Sequence, residues 1–345
     1  MKTQYKTLLF MAVTIGFAIF LSAMTHKNKP NGVKNTINMP QAYENLITYQ
    51  DGDMAIFETQ AVGAKKVENF KKSVRSKTNS RFAIPNGDKS ILTYDKSDPT
   101  KFFQQNLKEG KLAFNKGMSE YLDNGGRSLP AQEKADEFAL TFLNESGLAP
   151  ANKKELKMMH SGGMRTSKAG STKQIDVMRT ITYGRMLNGV PVYGPSSKII
   201  VHVGNKGEII GVNSLWKDVK KEKGKTVSKN AMKSAKEAEK EMNLRLATDF
   251  GKGTKTEIKD MYLAYYDEGK NYIQPAYYFN ISVVMPRVKE SPTIKFNYMG
   301  VVPALKRTPE PFEVLQQSPE AKKTIKKSSR ASSMKDRKKT KRDIE

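Results

Sequence analysis

The stretch YGRMLNGVPVYG, Tyr183 to Gly194, carries the densest conformational punctuation in this 345-residue chain. Asn188 and Gly189 accept the positive φ values that a two-residue hairpin loop needs at both central positions. Pro191 fixes the start of the strand that follows, and Val190 and Val192 alternate with polar or aromatic neighbours. The run reads as a turn that organises a sheet. Its fold-defining or partner-contacting residues are Tyr183, Arg185, Asn188, Gly189, Val190, Pro191, Val192 and Tyr193. It contains no catalytic group.

Strand-like segments flank it. QIDVMRTITYGRML leads in, and SKIIVHVG and GEIIGVNSLW follow, joined by a turn at Gly204 to Gly207, so that pair predicts a β-hairpin. Upstream, Leu129, Ala135, Phe138, Ala139, Phe142 and Leu143 form one apolar stripe ending at Gly147, which predicts a helix capped by Ser128 with Pro130 in its first turn. The intervening HSGGMRTSKAGSTK reads as a flexible linker. The same order recurs about 100 residues later. Ser228 precedes KNAMKSAKEAEKEMNLRLA, an amphipathic helix, and the strands TEIKDMYLAYYD and YIQPAYYFNISVVM follow around the turn EGKN. Neither a helix nor a hairpin buries its apolar side unaided, so the pattern predicts two tandem α+β units, each a helix on an antiparallel sheet.

The run from Tyr183 to Asn213, YGRMLNGVPVYGPSSKIIVHVGNKGEIIGVN, resembles the core of PepSY domains and of the propeptides of thermolysin-like and fungalysin-like metalloproteases. With the preceding helix and a weaker second copy the resemblance extends over residues 128–300. It implies a cystatin-like fold, a helix wrapped by an antiparallel sheet, and a role as chaperone or inhibitor of secreted proteases or as an envelope regulator. The chain departs from a protease precursor in one respect. Its three histidines, His26, His160 and His202, are isolated, whereas zinc proteolysis on a helix needs two at a four-residue spacing.

Composition sets the surroundings. The formal charge is +25, and residues 320–345 hold 11 basic and 4 acidic side chains, so most of the excess lies elsewhere. Such a field favours polyanions: acidic cell-surface polymers, anionic lipid or nucleic acid. There is no cysteine, which excludes thiol catalysis and disulfide staples. Lys2 and Lys6 precede the uncharged run Leu8 to Ala23, an export signal or retained anchor. Export argues against nucleic acid as a partner. The expected organisation is a signal or anchor at 1–24, a linker at 25–40, an N-terminal extension of unclear fold at 41–127, units at 128–224 and 225–305, and a disordered basic tail at 306–345. Within the extension, the apolar spacing of Phe102 to Leu122 partly suits a helix that Gly110 and Gly117 interrupt.

Other chemistry finds little footing. His202 stands in a strand without a neighbouring nucleophile or carboxylate, and GKGTKT at 251–256 lacks the strand a phosphate loop needs. No cofactor or metal site is expected. The tyrosines at 262, 265, 266, 272, 277 and 278 suit either a packed sheet or a carbohydrate or peptide platform. The functional expectation is a non-enzymatic, exported or membrane-anchored protein-binding module that inhibits a secreted protease or regulates an envelope sensor. The alternative is a structural or adhesive surface protein held to anionic polymer or lipid by its basic surface.

Overall fold

The computed structural model describes residues 54–78, 90–95, 98–124, 126–167, 172, 174–250, 253–286 and 293–312. All belong to the unit that runs from Met39 to Glu345. The expected signal or anchor, the linker and the tail from residue 313 lie outside them. The fold is α+β. In chain order it begins with β1 (Ala55–Gln60), α1 (Ala64–Thr78), β2 (Ile91–Tyr94), β3 (Phe102–Asn106), β4 (Lys111–Asn115) and α2 (Met118–Asn124). Then come α3 (Gln132–Glu145), β5 (Leu156–Thr166), β6 (Ile175–Leu187), β7 (Val190–Tyr193), β8 (Lys198–Val203), β9 (Ile209–Leu215), β10 (Asp218–Val219) and β11 (Lys225–Thr226). The described part closes with α4 (Ala235–Phe250), β12 (Lys255–Asp267), β13 (Tyr272–Met285) and β14 (Ile294–Pro303).

These strands make one mixed, 14-stranded sheet that divides at β6. One branch runs β6-β8-β9-β4-β3-β2, with β5 on the other side of β6. The second branch runs β6-β7-β12-β13, and the far edge of β13 is shared by β14 and β1. All pairings are antiparallel except β7 with β12, where Val192 and Tyr193 lie opposite Tyr265 and Tyr266.

Helices cover one face of each branch. On the first, Phe70 of α1 and Phe142 of α3 close over Phe114 of β4 with ring centroids 6.0 Å apart in both pairs. Ile181, Val201 and Val212 lie in the same buried cluster. On the second, Ala238, Met242 and Leu246 of α4 pack on Phe279, Ile281, Val283 and Val302. Each fully buried aliphatic or aromatic side chain contributes about 1.5–3 kcal/mol of transfer free energy, so these layers anchor the branches. Among the described residues no helix is long and apolar enough to cross a membrane.

Several local expectations are corrected. The stretch from Phe102 is a β-hairpin before it is a helix: Phe103, Leu112 and Phe114 point into the core with a period of two, and Gly110 (φ 73°) sits in the turn. Ser128 does not cap α3, which starts at Gln132 with no side-chain cap. Its N–H donates to Asn205 Oδ1 (2.9 Å) and its carbonyl accepts from Lys206 N–H (2.8 Å), tying the helix lead to the β8–β9 turn. Ser228 precedes a 3-10 turn, and α4 is started instead by a reciprocal box in which Ser234 and Glu237 bond each other's backbone N–H. HSGG is strand, because His160 to Gly163 pair with Thr182 to Arg179 of β6. The N-terminal extension is part of both branches, through β1 on one and α1 with β2 to β4 on the other. The tail begins later than residue 306. Lys306 N–H donates to Ala231 O, Glu310 accepts from Asn271 N–H and Nδ2–H at 3.0 Å each, and Phe312 is buried against Tyr266.

Candidate functional site

Where β6 divides, its backbone edge changes partner between adjacent residues. Arg179 to Gly184 pair with β8, and Arg185 to Leu187 pair with β7. Chain leaving such a fork loses ladder partners, and a buried polar group without one costs about 1–3 kcal/mol. Side chains supply them here. Arg185, completely buried, donates from Nη2 to Lys217 O (2.6 Å) and from Nη1 to Ser197 Oγ (3.2 Å). Ser197 in turn donates to Asp267 Oδ2 (2.5 Å), and Asp267 Oδ1 accepts Gly269 N–H (2.8 Å). Ser196 closes the rest, its N–H on Asp267 O and its hydroxyl on Leu215 O, both at 3.2 Å. Lys217 Nζ bonds Lys270 O.

Two further contacts fix the guanidinium. Its Nε lies 3.1 Å from Glu155 Oε2, an ion pair off the line of a hydrogen bond, and its Cζ sits 4.1 Å above the ring of Trp216, the chain's one tryptophan. A planar guanidinium can lie over an aromatic face while its rigid fork of donors reaches two fixed acceptors, a combination that an ammonium point charge does not offer. The backbone around it is constrained to match. Ser197 has φ 57°, and Gly194 (φ 116°) passes so close to β12 that a Cβ there would lie 2.3 Å from Asp267 O. Only glycine fits.

Electrostatically the site is under tension. Desolvation lowers the Arg185 pKa, and Glu155, Asp267 and Asp218 oppose it. Burial raises the Glu155 pKa, opposed chiefly by Arg185. Lys198 and Lys217 are lowered by desolvation, with Asp267 opposing in both. Burying such charges offsets most of their attraction, so their value lies in fixing geometry, while removing one partner leaves the other stranded.

The quoted run splits between three places. Tyr183 lies in the first core, its phenol pKa pushed up to about 12 by burial and then by Asp136. Asn188 (φ 52°) and Gly189 (φ 78°) form an exposed two-residue turn joining Leu187 to Val190. Val192 packs with Phe57, Leu187 and Tyr265, and Tyr193 meets Tyr278 and Tyr262 at centroid distances of 4.9 and 5.9 Å. Within β7, Val192 is paired on both sides, with Arg185 of β6 and Tyr265 of β12, while Val190 and Pro191 pair with β6 and Tyr193 with β12. Five of the six tyrosines, Tyr262, Tyr265, Tyr266, Tyr277 and Tyr278, are buried in packing, and Tyr272 is half-buried. Sequence reasoning missed Glu155, Ser197, Trp216, Lys217 and Asp267. The signals were present as GPSSK after the turn and as the lone tryptophan, but pairings 12 to 70 residues apart leave no spacing to read.

His202 lies on the face of β8 away from α3, its Nδ1 3.2 Å from Thr180 Oγ1. Burial pushes its pKa down to about 4. Among the described residues no three His, Asp or Glu side chains gather where a metal ion could sit.

No family model matches the chain, and no curated protein matches it. Eight solved chains match it by structure. One is the crystal structure of an uncharacterized protein from Eubacterium rectale, 12% identical, with a TM-score of 0.43 over 74% of this chain and 84% of that one.

Arg185→Met is expected to lower stability by about 3–5 kcal/mol, since it strands Glu155 and Asp267. Urea unfolding followed by Trp216 emission reads this, together with a changed native emission as the guanidinium leaves the ring. A loss below about 1 kcal/mol would mean the fork holds without its arginine. His202 generates a pH dependence. Its folded pKa lies below the unfolded value near 6.5, so its contribution is complete above pH 6.5 and is lost as pH falls toward 4. The unfolding free energy should drop by about 2 kcal/mol between pH 6.5 and 5. His202→Gln should remove that slope; an unchanged slope would assign it to other groups.

Proposed function

We propose that residues 128–224 and 225–305 are two PepSY-like units of a non-enzymatic, exported or membrane-anchored module that binds a protein partner, either inhibiting a secreted protease or regulating an envelope sensor. Three features support the reading. In each segment a helix precedes antiparallel strands and packs on one of their faces. The apolar run Leu8 to Ala23 has the character of an export signal or anchor. The observation that carries the binding mode is the edge of β5.

Among the described residues β5 pairs only with β6, which leaves one backbone edge of an 11-residue strand unpaired within the fold. Such an edge is a template for an extended segment of another protein: backbone bonds supply affinity and alternate side chains supply selectivity. Natural edges are usually blunted by proline or inward charge. β5 has neither in its central MMHSGGM, where Met158 is exposed, and its pairing with β6 shifts register only between Met158 and His160 and between Met164 and Arg165, leaving His160 to Met164 as the regular stretch of the edge. A protease offers such segments around its substrate cleft, so a rigid edge laid across the cleft would block it.

The test is hydrolysis of a peptide substrate by a thermolysin-type metalloprotease with the purified chain in excess. The proposal expects slowed hydrolysis, relieved by Met158→Lys, a change on an exposed strand position that leaves the unfolding midpoint in place. Full protease activity with no complex detected would overturn inhibition. Equal inhibition by the variant would move the contact away from β5.

A further inference from the structure

Arg185 brings three lysine-rich segments, far apart in the chain, to one pole of the fold. Leu156 of β5 lies opposite it in the sheet, which places KKELK (153–157) beside it. Its Nη2 holds Lys217 O, the residue before β10, which leads into KKEKGK (220–225). The third segment is KK at 65–66 in α1, joined to β10 by the Lys66–Asp218 ion pair at 2.9 Å. Glu155, the acidic partner of Arg185, feels Asp218, Glu222 and Lys66 together, so the three segments share one electrostatic neighbourhood.

The charge at this pole is poorly balanced. Nine lysines converge. Of the carboxylates in the same segments, Glu155 is buried on Arg185 and Asp218 is paired with Lys66, which leaves Glu222; Glu58 of β1 also reaches the pole and is paired with Lys220. Lys65, Lys154, Lys157, Lys221, Lys223 and Lys225 are exposed. All nine cations of the three segments are lysine, a strongly hydrated point charge suited to a field of anionic groups rather than to one fixed fork of hydrogen bonds. The second of these segments is held to β1, where Met54 O accepts Val227 N–H (2.8 Å) and Ala55 and Ile56 pair with Thr226 and Lys225.

We propose that this lysine pole is a docking surface for an anionic lipid bilayer. It draws on the reading of the apolar run as membrane-directed, but not on protease inhibition. Each lysine near an anionic leaflet adds about a factor of five in partitioning, so a pole of this size is a substantial anchor when it lies flat.

The experiment uses the full chain and two sets of vesicles, phosphatidylcholine with and without phosphatidylglycerol, and reads the excess binding to the anionic set. That excess should fall steeply as salt rises from low ionic strength. The combined variant K154E, K157E, K221E and K223E should lose more than about tenfold of it, while reversing Lys322, Lys323, Lys326 and Lys327 in the tail should cost less than about threefold. Trp216 emission and the melting temperature confirm that both variants remain folded. The opposite ranking of the two variants would overturn the proposal, as would equal binding to both vesicle sets. Displacement by long-chain polyphosphate at concentrations where the vesicles are in excess would overturn it in favour of a polymer. The assay contains no protease and requires no export, so its failure is separable from failure of the inhibitor reading.

Discussion

The guanidinium of Arg185, buried where one strand serves two branches of a sheet, is the interaction on which the rest of this structure depends. A sheet that divides at β6 must supply hydrogen-bond partners for the chain that turns away on either side. Arg185, Ser196 and Lys217 do so from side chains, and the Ser197 hydroxyl links Arg185 to Asp267. Their targets come from the ends of β9 and β12 and from the β12–β13 turn, so one network closes both branches at once. The charges involved gain little net stability from one another, given how strongly burial opposes their ionised forms. What they supply is a unique geometry, reinforced by the close passage of Gly194 against Asp267 and by the positive φ of Ser197.

That geometry also disposes the surfaces available for recognition. Because Leu156 lies opposite Arg185, the exposed edge of β5 starts at the fork, and the lysines that precede it are fixed relative to those after β9. The quoted turn has a different part. Asn188 and Gly189 return the chain so that β7 can pair with β12, and the residues after them become the interior seam of the sheet. Burial of Val192 and the edge-on and tilted contacts of Tyr193 with Tyr262 and Tyr278 hold that seam from its two faces.

The parts of the fold legible in the sequence were those encoded locally. The α+β class, α3, α4, the Asn188–Gly189 loop and the turns at Gly204 to Gly207 and at EGKN follow from periodicity and from residues that accept positive φ. Boundaries set by longer contacts were misplaced. Ser128 and Ser228 looked like caps, but Ser128 is used by Asn205 and Lys206, 77 residues on in the first case, and the capping box belongs to Ser234 and Glu237. The hairpin of β3 and β4 was obscured because its helical and strand periods overlap at Phe103 and Phe114. Of the fork, Arg185 could be singled out from the motif that holds it. Its partners could not, because Glu155, Trp216 and Asp267 are brought to it by strand pairing that no spacing records.

The most direct test of the fork is native-state hydrogen exchange of the slowest amides in β8 and β9 against those in β12 and β13. If Arg185 couples the branches, both sets open in one event and share one free energy in the native chain, and Arg185→Met separates them by more than about 1 kcal/mol. Two distinct values in the unaltered chain, or one common value kept in the variant, would contradict that coupling.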